Sequence, residues 1–192
     1  LAPGAQAADA RAESVMYIEI DRATNASDLS ALQNGLLAAL DTVRATVQDF
    51  SAMRERVQAL ISQLNSRRKQ YFSRDERAEA VAFLEWLLDD HFTFLGYECF
   101  AINEGLPEQR LGLRTDASLG ALALNPRDEN LEGLPDTVTA YLQAPLLLSF
   151  AKASQLSRVH RPAYPDYVSV REVDADGNVL LEHRFMGLYT SR

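Results

Sequence analysis

The sequence predicts an α+β chain, with helices dominating the first half and an antiparallel sheet the second. Three observations carry that reading. Leu29, Leu32, Leu36, Leu40, Val43, Val47 and Phe50 recur at three- and four-residue steps, the apolar stripe of an amphipathic helix. Beyond residue 90 come short runs rich in aromatic residues and threonine, which favour pleated, half-buried backbone. Two of the runs, 166–174 and 179–191, flank "ADGN", whose Asp-Gly step supplies the positive φ of a hairpin turn.

Residues 1–13 are small and polar and read as a linker. Within 14–22, Val15, Tyr17 and Glu19 alternate with Met16, Ile18 and Ile20, which predicts a strand with one well-buried face. Asn25 or Ser27 can cap the helix that follows, with Asp28 in its first turn. From Ser51 a second helix carries Met53, Val57, Leu60, Ile61 and Leu64; the phase nearly continues, so one kinked helix also fits. Residues 67–72 read as a linker. Ser73 and Glu76 then have the spacing of a capping box, opening a helix with Ala80, Phe83, Leu84, Leu87 and Leu88 on one face. Strands are expected at 91–100 and 111–114, a short helix at 134–143, a buried strand at 145–153, and the hairpin strands at 166–174 and 179–191. The second part is thus an antiparallel sheet of about five strands with helices.

The chain has 192 residues, enough for one domain or one domain plus part of another. A net charge of −8 argues against nucleic acid, where a basic footprint supplies most of the affinity, and against anionic membrane surfaces. No apolar run approaches the roughly 18–20 residues of a membrane span, and no basic and apolar leader opens the chain. Both ends read as cuts through a longer polypeptide. A single cysteine, Cys99, excludes an internal disulfide, and a reducing cytoplasm is the expected setting.

Chemical motifs are sparse. Neither a G-x-G-x-x-G turn nor a P-loop occurs. "DADGN" at 174–178 fails the calcium-loop pattern, because Gly177 stands fourth from Asp174, where that loop needs it sixth. Asp89, Asp90 and His91 are adjacent, so they splay around a helix end and read as a cap, not a chelate. Cys99 has no histidine near it in sequence and reads as a buried thiol; Trp86 reads as packing. That leaves "SRVHRPAYPDY", with Arg158, His160 and Arg161. Its arginines could pair with the domain's own acids, such as Glu182 or Asp166. That pairing is the reading taken; the alternative is that they hold an anion or a neighbouring subunit through their planar forks.

Several stretches, in order, carry a family resemblance: "MYIEIDR", "VQDFSAMRERVQAL", "WLLDDHFTFLGY", "VHRPAYPDY" and "HRFMGLYTS". Together they resemble the N-terminal region of the large bacterial NAD-specific glutamate dehydrogenases, across nearly the whole chain. The resemblance implies that 14–66 supply the last strand and closing helices, a helical hairpin, of an ACT-like module. Residues 73–192 would be a PAS-like module. It implies no catalytic, metal or cofactor-binding residue in this segment, NAD being bound by a downstream catalytic domain. It also implies contact with that domain and with the other subunits of a homo-oligomer, and a regulatory or assembly role. A small-molecule effector is a candidate partner; nucleic acid and membrane are not. A sensor should offer a pocket of a few hundred Å³ between sheet and helix. A purely structural oligomerisation module should show a large apolar face and no closed pocket. A free-standing hydrolase would need a nucleophile–base pair, and none is found.

Overall fold

The computed structural model describes residues 15–22, 25–66, 71–103, 110–113, 118–124 and 144–190. The expected linker at 1–13 and helix at 134–143 lie outside them. The chain divides into two compact units, 1–35 and 36–192.

In the first unit the expected strand is absent. Residues 15–22 pair with no other segment among the described residues, and Val15 is 95% exposed and Tyr17 86%. The alternation is real, but a strand also needs a neighbour to take its backbone hydrogen bonds. Helix α1 (Ala26–Gln48) begins here. Asn25 caps it: its side-chain oxygen accepts from the Asp28 backbone N–H at 2.7 Å, which satisfies one orphan donor.

In the second unit α1 gives way to α2 (Phe50–Ser66) with a break at Asp49, between the two alternatives the periodicity allowed. The Asp49 carboxylate accepts the Gly120 N–H at 2.8 Å, which ties the break to the sheet. Met53, Val57 and Leu60 of α2 are buried in the sheet's core. Phe72, at the end of the expected linker, joins them. Much of the α1 stripe is not covered: Leu36, Leu37, Val43 and Val47 are exposed, Val47 by 70%.

Helix α3 (Arg74–Trp86) opens on the expected box. The Ser73 Oγ accepts from the Glu76 N–H, and the Glu76 carboxylate accepts from the Ser73 N–H at 2.8 Å. The Ser73 hydroxyl and N–H hold the Glu76 carboxyl below its ordinary range. Ala80 and Leu84 face the core. The helix ends in a wide turn, Leu87–His91, in which Asp90 takes the left-handed φ of 59°.

Among the described residues six strands follow: β1 (Phe92–Asn103), β2 (Arg110–Leu113), β3 (Leu119–Gly120), β4 (Leu148–Lys152), β5 (Asp166–Val173) and β6 (Val179–Tyr189). Five form one antiparallel path, β2-β1-β6-β5-β4, and β3 pairs with β1. β5 and β6 are the expected hairpin. Their turn is fastened by the Asp174 carboxylate, which accepts from the Asp176 and Asn178 N–H groups, and Gly177 supplies a φ of 91°. The run at 145–153 is not a buried strand. Among the described residues β4 pairs only with β5, at the end of the path, and Phe150 is 56% exposed, its ring edge-on to Phe83. An apolar run does not reveal whether a second neighbour exists.

Candidate functional site

The segment between β4 and β5 is built by its own backbone. Ala153 N–H donates to the Pro165 carbonyl at 2.9 Å, and Ser157 N–H to that of Ala163 at 2.8 Å. Inside this frame Arg161 N–H reaches back to the Val159 carbonyl and Ala163 N–H to that of Arg161, two successive tight turns. The Ser157 hydroxyl donates to the Val159 carbonyl and accepts its N–H. Val159 is the anchor, buried with Leu95 and Leu188. His160 stands at φ 67°, the left-handed region that a β-carbon disfavours.

The result is a pinned loop with Arg158, His160 and Arg161 on its exposed rim. They line an open hollow of about 780 Å³ together with Ser154, Gln155 and Tyr164. Arg161 donates to the Tyr189 carbonyl at 3.0 Å. Among the described residues the pairing with Asp166 or Glu182 does not occur. Asp166 is held by Lys152 at 2.7 Å, and Glu182 by Arg171 at 2.9 Å and Arg184 at 2.7 Å. Among the described residues no carboxylate pairs with Arg158, His160 or Arg161.

The acids are occupied inside the sheet. Register sets Arg171 opposite Glu182, and Glu98 opposite Arg184. Glu98, Arg171 and Glu182 are each at most 2% exposed. Arg184 bridges Glu98 and Glu182 and lies 4.5 Å from the Phe100 ring centroid. Burial alone would raise the Glu182 pKa, but Arg184 and Arg171 outweigh it and hold the carboxyl below its ordinary range.

On the helix-facing side the register brings Cys99 opposite His183. The two are far apart in sequence, so spacing gives no signal for the pair. His183 Nε2 contacts the Glu172 carboxylate at 2.9 Å and Nδ1 the Tyr97 hydroxyl at 2.8 Å; Gln63 donates to the other Glu172 oxygen. Burial works against the charged ring, yet Cys99 and the Glu172 carboxylate beside it prevail, raising its pKa to about 9. At neutral pH His183 is therefore an imidazolium donating from both nitrogens. Both ring nitrogens are thus taken by Glu172 and Tyr97, while the Cys99 sulfur donates to the Phe100 carbonyl at 4.0 Å. The cavity between α2 and the sheet, lined by Leu60, Gln63, Phe72 and Glu172, has about 40 Å³, room for water only. The sensor pocket of a few hundred Å³ is not found there, because Phe92, Phe94, Tyr97 and Phe185 fill the layer.

Asp89, Asp90 and His91 form the helix end, as their adjacency predicts. His91 Nδ1 contacts the Trp86 carbonyl at 3.1 Å and its ring stacks on Trp86, while the Asp90 carbonyl accepts from Thr190. Among the described residues no group of three histidine, cysteine or acidic side chains is arranged to hold a metal, and no helix is long and apolar enough to cross a membrane.

No protein-family model matches the chain. Curated relatives do. The chain is 45% identical over 196 aligned residues to the NAD-specific glutamate dehydrogenase of Pseudomonas aeruginosa, covering 100% of this chain. The chain belongs to the large NAD-specific glutamate dehydrogenase family, as one region of it. The Halomonas elongata member is 39% identical over 187 residues, and that of Mycobacterium tuberculosis 28% over 178, each covering 93% of this chain. The chain spans only 12%, 11% and 10% of the length of these three family members.

Proposed function

We propose that this region is a non-catalytic, N-terminal assembly and regulatory segment of a cytoplasmic, homo-oligomeric glutamate dehydrogenase. The whole polypeptide would oxidise L-glutamate to 2-oxoglutarate and ammonia, passing hydride to NAD held by a catalytic domain outside this chain. Residues 14–66 would complete an ACT-like module and 73–192 form a PAS-like one. The antiparallel sheet with helices supports the second, and the relatives' names support the reaction.

The observation that carries the assembly role is the apolar stripe of α1. Leu29, Leu32, Leu36, Val43 and Val47 stand exposed along one helix, a pattern that marks an interaction face rather than a solvated one. The test is the full-length enzyme carrying Leu32→Glu, Leu36→Glu and Val43→Glu. The expected result is a loss of oligomeric mass in sedimentation, with helix content retained. Unchanged mass and unchanged activity would refute the role. Hydride transfer by the 192-residue chain alone would refute its non-catalytic character.

A further inference from the structure

We infer that the loop from Ser154 to Tyr164 is a binding site for a small, multiply charged oxyanion of the carboxylate or phosphate kind. The inference does not depend on the assembly role of α1. In a chain of net charge −8, cations should find partners easily. Glu98 and Glu182 are instead drawn into the buried ladder, and Asp166 is held by Lys152. Arg158, His160 and Arg161 gather within four positions around one hollow of about 780 Å³. Arg158 and His160 make no hydrogen bond or ion pair among the described residues, whereas Arg161 is steadied by the Tyr189 carbonyl. Two planar forks, an imidazole and the Ser154 hydroxyl line the hollow, a set of donors that one oxyanion can satisfy together.

The backbone is built for this presentation. Hydrogen bonds across the loop and the buried Val159 hold it before any ligand arrives, which lowers the ordering cost of binding. Position 160 costs on the order of 1 kcal/mol as a non-glycine residue, since it stands at φ 67°. A glycine would take that conformation freely, so the histidine side chain is the gain for which the strain stands.

The test titrates the isotope-labelled 192-residue chain with inorganic phosphate and, separately, succinate, at ionic strength matched with sodium chloride. Saturable amide shifts confined to 154–164 are expected from at least one, and the stronger names the anion class. Arg158→Gln, an exposed change with no partner to lose, is expected to weaken binding about tenfold. His160→Gly is expected to weaken binding while leaving thermal stability equal or higher. Arg74→Gln, exposed on α3 and outside the hollow, is expected to change nothing. Shifts no larger than with chloride, or an equal loss in Arg74→Gln, would overturn the inference. If Arg158→Gln alters self-association and leaves phosphate binding unmoved, the loop is a subunit contact and the inference fails.

Discussion

His183 makes the folded sheet lose stability as the solution turns alkaline. Its pKa rises from an ordinary 6.5 to about 9 on folding, against burial and because of Cys99 and Glu172. Below pH 6.5 both folded and unfolded chains hold the proton, and the full stabilisation is present. Between 6.5 and 9 the unfolded chain has released it and the folded chain has not, so each step upward in pH favours unfolding. The gap of about 2.5 units, at about 1.4 kcal/mol per unit, is worth on the order of 3 kcal/mol. Urea melts at a series of pH values measure it. Trp86, the chain's single tryptophan, stacks on His91 and Phe83 and reports this unit's unfolding. The wild type should lose stability across the window, and His183→Gln should remove most of the slope. The difference between the two isolates this ring from other groups titrating nearby. Equal slopes in both, or a His183 ring titration by NMR near or below 6.5, would refute the reasoning.

Two further outcomes follow from the fold. Ser73→Ala removes one half of the capping box and should cost about 1 kcal/mol in urea melts; a loss of only a few tenths would mean the box is idle. Arg184→Met takes the bridging cation from Glu98 and Glu182 and should cost about 3 kcal/mol. Lys152→Ala removes an ion pair whose lysine is 63% exposed and should cost under about 1 kcal/mol. Equal losses in the two variants would show that burial does not set the value of these charges.

Buried carboxylates are costly unless matched, so Glu98 and Glu182 take Arg171 and Arg184 within the sheet. The two arginine pairs belong to adjacent strands in antiparallel register, and no such register reaches the turn after β4.

Local signals in the sequence were sufficient for the α1 cap at Asn25, the box at Ser73 and Glu76, the helix end at Asp89–His91 and the hairpin around Gly177. Each depends on residues within a few positions of one another, so the chain order contains all the partners. Tertiary structure alone decided what required a distant partner. Among the described residues it left 15–22 without a strand to pair with and put β4 at the end of the sheet path. Through strand register it set Cys99 opposite His183 and spent Glu182 on Arg171 and Arg184. The last choice bears most on function. The sequence left Arg158 and Arg161 open between an internal acid and an outside partner; among the described residues Glu182 and Asp166 are paired to other cations, and neither arginine meets a carboxylate.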